Sequence, residues 1–137
     1  MKDRVFVDTN VLIYASTDND KLKQARALSF LRNCIGIETF ISTQVLSEFY
    51  SAMRKNYVDA ALTKRYLESY AQSMNVLPVT KEIVMSCMGL IGKYGYSIWD
   101  GLIIASALSV GCSMLCSEDM SHNQVINSQL RIHNPFM

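Results

Sequence analysis

Short apolar runs alternate along the chain with longer segments in which apolar residues recur at helical spacing. The first run, residues 4–8, is rich in β-branched residues and apolar on both sides as far as Asp8, which is typical of a central parallel strand. Later runs of the same character predict further strands, and Pro78 in one of them indicates an edge strand or a strand end. These runs cover residues 37–42, 76–79, 113–117 and 129–133.

The longer segments predict helices, with Thr43 and Thr80 as the N-caps of two of them. The predicted helices cover residues 11–14, 21–32, 43–55, 59–73, 81–94 and 100–111. The second is amphipathic, and its predicted apolar positions are Leu22, Ala25, Leu28, Phe30 and Leu31. Because strands and helices alternate throughout, we predict an α/β fold: a three-layer α/β/α sandwich with a central, mostly parallel sheet of four to five strands.

Length and composition narrow the class of protein. A chain of 137 residues is long enough for one core and too short for a second, so residues 1–137 are expected to form a single domain. A net charge of +1 excludes a protein that coats nucleic acid by charge alone. The four cysteines lack metal-site spacing and are predicted to be buried, reduced thiols. Without a signal-peptide core or a membrane-length apolar stretch, the protein is expected to be cytoplasmic and not membrane-bound.

The most apolar predicted helix, residues 100–111, has Asp100 at its start and Gly111 as its C-terminal stop. A carboxylate in such apolar surroundings is costly to desolvate unless a cation or strong hydrogen-bond donors meet it. Two interpretations stay open for Asp100 taken alone. It caps the helix and complements the helix dipole, or it belongs to a functional site.

Four acidic residues are predicted to gather at one edge of the sheet, where open α/β sheets bind ligands beyond the carboxyl ends of their strands. Asp8 ends the first strand, and Asp119 follows the strand of residues 113–117. Asp100 begins the helix that leads into that strand, and Glu48 lies about one turn into the helix after the second strand. Each aspartate is also a possible helix cap, and Glu48 a partly exposed or ion-paired helix residue. All four together favour a common site.

Carboxylates that converge in one cleft repel one another and raise one another's pKa, and a divalent cation removes that conflict. Oxygen ligands without sulfur or imidazole indicate Mg²⁺ or Mn²⁺ and not zinc. Such a metal suits phosphodiester hydrolysis, because it activates a bound water and stabilises charge on the phosphoryl oxygens. Thr9 and Ser117 lie beside the acids as hydroxyl donors, and local capping is the stronger interpretation for Ser117. Asn10 is a third polar neighbour of Asp8.

Four motifs carry a resemblance to a known family. They are Val-Asp-Thr-Asn at 7–10, Ser-Glu-Phe at 47–49, Trp-Asp-Gly-Leu-Ile at 99–103 and Ser-Glu-Asp-Met at 117–120. In order and spacing, they resemble the PIN-domain ribonucleases, in particular the small single-domain VapC toxins. The similarity runs from the first strand to the last, and the opening Asp-Thr-Asn and the aspartate after tryptophan are its more specific parts.

The resemblance implies that Asp8, Glu48, Asp100 and Asp119 are the catalytic and metal-binding acids, with Thr9, Ser117 and Asn10 in support. It implies a PIN-like fold and Mg²⁺- or Mn²⁺-dependent endonucleolytic cleavage of RNA, often structured RNA such as transfer RNA. It also implies a homodimer and a small cognate antitoxin that blocks the active site. The chain departs from the family at Glu118, which stands where an uncharged or basic residue is common, and whether Glu118 also reaches the metal stays open.

Two other functions compete with a nuclease. Phosphoryl-aspartate enzymes also place an aspartate at a strand end with Mg²⁺, but the phosphatases among them need a second aspartate where this chain has Asn10. Receiver domains need an acidic pair after the first strand and a lysine after a late one, and the chain has neither. The non-enzymatic alternative is a PIN-like binding or scaffold subunit. Degenerate members of such folds usually lose acids from the cluster, whereas all four are present here.

Overall fold

A mostly parallel sheet forms the centre of the molecule in the computed structural model, which describes residues 3–137. Its strands are β1 (Arg4–Val7), β2 (Glu38–Ser42), β3 (Asn75–Leu77), β4 (Met114–Cys116), β5 (Val125–Ile126) and β6 (Leu130–His133). They are arranged in the order β3-β2-β1-β4-β6-β5. Of these strands, only β5 is antiparallel to its neighbour, β6. The prediction that the first strand is central is confirmed, since β1 pairs with β2 and β4. The strand that contains the residue before Pro78, β3, lies at the sheet edge as predicted.

Helices complete the sandwich. They are α1 (Thr9–Ser16), α2 (Lys21–Asn33), α3 (Thr43–Lys55), α4 (Ala60–Ser73), α5 (Lys81–Tyr94) and α6 (Ile98–Ser109). Helix α1 packs against α2 and α3, α3 packs against α4, and α5 packs against α6. The predicted three-layer α/β fold is confirmed. Thr80 caps α5 as predicted, but the N-cap of α3 is Ser42 and not Thr43, because the Ser42 hydroxyl accepts the Val45 amide.

The sheet has one strand more than the four to five predicted. The additional strand, β5, contains only Val125 and Ile126, too few residues for an alternating pattern to be visible in the sequence. It is joined to β6 through residues 127–129, of which Asn127 and Ser128 have positive φ values, of 50° and 56°. Two consecutive residues of this kind are typical of a tight hairpin turn, but this turn lacks the glycine that usually marks it.

The predicted apolar face of α2 is wrong in part. Among the described residues of this helix only Ala27 is buried, while Leu22 is 64% exposed and Leu28 is 38% exposed. Phe30 and Leu31 pack partly against the core. The helix packs on α1, and its Phe30 ring stacks on His133 of β6, so only a narrow strip of its surface is covered.

Helix α6 is buried on most faces, as predicted, with every residue from Gly101 to Ala107 inaccessible to solvent or nearly so. Gly101 is required for its contact with α5, because a Cβ atom there would lie 2.9 Å from Cγ1 of Ile91. The helix ends at Ser109, and Gly111 follows with a φ of 71°, which confirms the predicted glycine stop.

The predicted state of the cysteines is confirmed for all four: Cys34, Cys87, Cys112 and Cys116 are free and buried. Burial raises the pKa of each thiol, most strongly for Cys116 in the centre of the sheet. Within residues 3–137, no helix has both the length and the apolar composition needed to cross a membrane.

Candidate active site

An open cleft of about 360 Å³ lies beyond the carboxyl ends of the central strands β1, β2 and β4. All four acids predicted from the sequence line it: Asp8, Glu48, Asp100 and Asp119. Of the three predicted supporting residues, Thr9 and Asn10 line the cleft, and Ser117 is fully buried beside Asp8. The structure therefore brings together residues that are up to 111 positions apart, the separation of Asp8 from Asp119.

Asp8 forms the floor of the cleft and is only 6% exposed. It follows β1 directly, and its backbone amide donates to the carbonyl of Cys116, which continues the β1–β4 pairing by one residue. Its two carboxylate oxygens have separate donors. Oδ1 accepts the Thr9 amide at 2.7 Å as the N-cap of α1, and Oδ2 accepts the Ser117 hydroxyl at 2.8 Å. The capping role and a place in the cleft are thus combined in one side chain.

Glu48 reaches the cleft from the middle of α3 and is held there on both oxygens. The Thr9 hydroxyl donates to Oε1 at 2.9 Å, and Nε2 of Gln44 lies 3.4 Å from Oε2. The same Gln44 nitrogen donates to the backbone carbonyl of Trp99 at 3.1 Å. These contacts join α3 to the starts of α1 and α6 and fix the position of the Glu48 carboxylate.

Asp100 lies in the first turn of α6, but it does not cap that helix. The N-cap is Ser97, whose hydroxyl accepts the Asp100 amide at 3.2 Å. The interpretation of Asp100 as a cap is therefore wrong, and its carboxylate is free to face the cleft, half-buried. Burial raises the pKa of Asp100, and the charges of Asp119 and Glu48 raise it further.

Asp119 is exposed at the rim, and the loop that carries it is fixed by two polar contacts. Nδ2 of Asn10 donates to Oδ2 of Asp119 at 3.0 Å, and the Asp119 amide donates to the Ser117 hydroxyl at 3.3 Å. Oδ1 of Asn10 also accepts the amide of Glu118 at 3.3 Å. Asn10 and Ser117 thus position the loop after β4 against the start of α1.

Glu118 points away from the cleft. Its carboxylate forms an ion pair with Lys23 of α2 and accepts the hydroxyl of Tyr14 at 3.0 Å. The question left open by the sequence is answered by this geometry, because a carboxylate engaged on the far side of the loop does not line the cleft. Asp119, and not Glu118, lines the cleft.

The electrostatics of the cleft are unfavourable for four negative charges. The pKa of Asp8 is raised to about 7, chiefly by burial; hydrogen bonds from Ser117 and Thr9 lower it, and the charges of Glu48 and Asp100 raise it. The Asp8 carboxyl therefore keeps its proton to a higher pH than an ordinary carboxyl unless positive charge is brought near it. The protein maintains a costly acidic cluster here, and clusters of this kind are concentrated at functional sites.

Lys55 and Trp99 are among the further cleft-lining residues that sequence reasoning did not find. Lys55 lies on the face of α3 that also carries Glu48, Ser51 and Ala52, so helical spacing from Glu48 could have indicated it. Trp99 precedes Asp100 directly and is 62% exposed. Its position next to an acid was visible in the sequence, but its exposure was not.

A family model for the PIN domain matches residues 5–126, a range that includes all four acids of the cleft. The chain belongs to the PIN-domain family. No curated protein matches it in sequence.

Solved structures share this PIN fold at low sequence identity. The chain is similar to the sarcin–ricin loop cleaving toxin VapC20 of Mycobacterium tuberculosis, with a TM-score of 0.66 and 14% identity over 81% of this chain and 86% of that one. It is also similar to a chain of a toxin–antitoxin complex from Klebsiella pneumoniae, with a TM-score of 0.68 and 16% identity over 96% and 97% of the two chains. For a chain of VapBC2 from Rickettsia felis, solved with a promoter DNA fragment, the TM-score is 0.68. The sequence identity is 15% over 96% of this chain and 99% of that one.

PIN-domain nucleases generally depend on divalent metal, and the donor set of this PIN domain fits such an ion. Within residues 3–137, no three carboxylate, imidazole or thiol side chains are already grouped so that they could hold a metal ion. Mg²⁺ does not require such a group, since it usually keeps several waters and takes one or two carboxylates. The four acids that line the cleft, Asp8, Glu48, Asp100 and Asp119, are the residues that would hold such an ion.

Proposed function

We propose that this PIN domain is a Mg²⁺- or Mn²⁺-dependent endoribonuclease and the toxin of a toxin–antitoxin pair. The observation that supports the nuclease most directly is the cleft in which Asp8, Glu48, Asp100 and Asp119 meet around a largely desolvated Asp8. Carboxylates in this arrangement, without sulfur or imidazole beside them, suit a hard cation and a phosphodiester substrate.

Each polar residue has a role in the proposed reaction. Asp8, Glu48, Asp100 and Asp119 would hold the metal, which when bound activates a water molecule and stabilises charge on the phosphoryl oxygens. Ser117 and the Thr9 amide orient the two oxygens of Asp8, so that its free lone pairs face the cleft. Glu48 of α3 and Asp119 of the loop after β4 complete the set of acids, and one of them would take the single proton that the attacking water loses. The Thr9 hydroxyl and Asn10 keep these two carboxylates in place.

The toxin assignment and its partners are supported by the solved structures. One neighbour is a sarcin–ricin loop cleaving toxin, and others were solved as toxin–antitoxin complexes. We therefore propose that this chain cleaves structured RNA such as transfer RNA, forms a homodimer and is blocked by a small cognate antitoxin. We also propose that residues 1–137 act as a single domain in the cytoplasm. Light scattering of the purified protein, alone and coexpressed with an adjacent antitoxin gene product, tests the two assemblies.

The nuclease is tested by incubating the purified protein with total RNA and transfer RNA in Mg²⁺, Mn²⁺ or EDTA. Asp100→Asn, prepared identically, is the control for contaminating nucleases. We expect discrete fragments that require metal and disappear in the variant. If folded, antitoxin-free protein cleaves nothing under any metal, the PIN-like binding or scaffold subunit becomes the better assignment. Cleavage that persists in Asp100→Asn would place the active site elsewhere.

A further inference from the structure

Trp99 is the only tryptophan in the chain, and it is 62% exposed at the edge of the acidic cleft. Tryptophan is highly buried on average, because exposure of its large apolar ring to water is unfavourable. The backbone that carries the ring is nevertheless held firmly. Its carbonyl accepts Nε2 of Gln44, and the residues that follow in α6 are buried from Gly101 onward. These contacts place the exposed indole at the edge of the cleft.

Lys55 lies in the same cleft on a different element. It follows Glu48 by seven positions on α3, which places it about 10 Å further along the helix axis. Ser51 and Ala52, which have small side chains, lie between them on the same face of the helix. Among the described residues that line the cleft, Lys55 is the one that carries positive charge, and its side chain is exposed. The cleft is thus acidic over Asp8 and cationic toward the end of α3.

We propose that Trp99 and Lys55 form a binding site for the RNA nucleotides next to the scissile phosphate, a site that takes unpaired and not duplex RNA. This proposal rests on the proposed nuclease function. Trp99 stacks on an unpaired base, while Lys55 binds a backbone phosphate that neighbours the one at the acids. A single strand meets both requirements at once, because its bases can turn away from its backbone toward an aromatic side chain.

Duplex RNA does not fit this site. Its bases are stacked on one another, so no base face is available to the indole, and proteins contact it mainly through shape, phosphates and 2′-hydroxyls. A loop, bulge or end of a structured RNA offers an unstacked base beside a backbone phosphate. The substrate class is therefore an unpaired segment, which includes the loops of folded RNAs.

A basic peptide is the competing occupant for an exposed tryptophan, because a guanidinium group also stacks on indole. The four carboxylates in the cleft attract such a peptide, so the distinction rests on Lys55 at the end of α3, which attracts a phosphate and repels a guanidinium group. The pairing of one aromatic face with one cation matches a nucleotide, which supplies a flat base and a negative phosphate.

The single tryptophan makes a direct binding test possible. Trp99 fluorescence is recorded while a short mixed-sequence single-stranded oligoribonucleotide is added, and separately the blunt duplex of the same sequence. Wild-type protein is used in EDTA and Asp8→Asn in Mg²⁺, so that cleavage is prevented. We expect saturable quenching by the single strand and little by the duplex. Absence of quenching by the single strand in both buffers overturns the proposal.

Variants separate stacking from general apolar contact. Trp99→Leu should weaken single-strand binding, measured by anisotropy of a labelled RNA, about tenfold, and Trp99→Phe should retain most of it. For cleavage, Trp99→Leu should raise KM more than it lowers kcat, because a base contact remote from the reacting atoms is made in both ground and transition states. Equal binding by the Leu and Phe variants would mean that the aromatic face is not used.

The role of Lys55 is tested by salt dependence. Lys55→Gln should weaken binding of the same RNA and reduce the slope of log affinity against log salt by about one. Lys93→Gln, which removes an exposed lysine outside the cleft near the end of α5, should leave that slope unchanged. An unchanged slope in Lys55→Gln overturns the assignment of Lys55.

The outcomes distinguish this proposal from the nuclease itself. Metal-dependent cleavage with no fluorescence change and a fully active Trp99→Leu variant would overturn the site while the nuclease stands. Quenching by single-stranded RNA without any cleavage would support the site and overturn the nuclease. Quenching by a short arginine-rich peptide but not by RNA would overturn the site and assign Trp99 to a protein partner.

Discussion

Ser117 illustrates how a single buried hydroxyl organises the acids at the residue scale. It is completely buried, donates to Asp8 and accepts the amide of Asp119, so it joins the floor of the cleft to its rim. From the sequence alone, local capping was the stronger interpretation for this residue. The local contact is present, with the Asp119 amide two residues on, and the hydroxyl also reaches across 109 residues to Asp8.

Ser117→Ala should lower both stability and activity. The variant leaves a buried carboxylate with one donor fewer and an amide without its acceptor, which costs about 1–3 kcal/mol of unfolding free energy. Loss of orientation of Asp8 and Asp119 should reduce kcat/KM about 10- to 100-fold. Urea unfolding and RNA cleavage measure the two effects.

Ser106 provides a matched control for this variant. It is also completely buried, but its hydroxyl has no hydrogen-bond partner among the described residues. Ser106→Ala should therefore leave stability nearly unchanged or raise it, and should leave cleavage unchanged. Equal losses in the two alanine variants would contradict a specific role for the Ser117 hydroxyl.

Asp8 should make stability depend on pH in metal-free buffer. Its pKa rises from 3.8 to about 7 on folding, so the folded state binds the Asp8 proton more tightly than the unfolded state. This contribution to stability is complete below about pH 4 and is lost as the pH rises through about 7. The unfolding free energy of wild type relative to Asp8→Asn should fall over that range. A difference that is independent of pH would contradict the raised pKa.

At the scale of elements, the packing of α6 against α5 depends on the absence of a side chain at Gly101. Gly101→Ala forces Ile91 to move, because the new Cβ would lie 2.9 Å from an inner atom of that side chain. We expect a loss of about 1–3 kcal/mol in unfolding free energy. Gly92→Ala in α5 is the control, since nothing lies within 4 Å of its added Cβ. It should gain about 0.5–1 kcal/mol through helix propensity, and a loss as large as that of Gly101→Ala would contradict the packing argument.

Elements with strong local signals were predictable from the sequence. Helix α5 has a threonine cap and a glycine stop, and β1 is a β-branched run ended by Asp8, so both were located correctly. The two-residue strand β5 was missed because it is stabilised by pairing with β6 and not by its own pattern. The covered face of α2 was mispredicted because it depends on how the helix lies on α1, a tertiary contact that periodicity does not specify.

The acids of the cleft were predictable because topology places them. A residue that directly follows a parallel strand must lie at the carboxyl edge of the sheet, whatever its side-chain conformation. The orientation of Glu118 was not predictable, since it is set by Lys23 and Tyr14 on other helices. Lys55 was missed for a related reason: whether a helical lysine faces a cleft depends on the rotation of its helix relative to the sheet.

At the scale of the whole molecule, the sheet concentrates negative charge at one edge although the chain carries a net charge of only +1. Basic residues elsewhere on the surface therefore balance the net charge of the chain, while the cleft itself stays acidic. A protein in this condition should be stabilised by any cation that binds there, because binding to the folded state alone adds its free energy to folding.

Mg²⁺ or Mn²⁺ should therefore raise the melting temperature of the wild-type protein, with a shift that grows with metal concentration. Asp8→Asn and Asp100→Asn should melt at or above the wild-type temperature in EDTA, because each relieves like-charge repulsion. They should then show little further shift with metal.

Glu118→Gln tests whether the effect belongs to the cleft. It removes an acid adjacent to Asp119 that pairs with Lys23 instead, so its metal-induced shift should match that of wild type even if its own melting temperature falls. Loss of the shift in Glu118→Gln, or its persistence in both aspartate variants, would locate the cation elsewhere on the molecule.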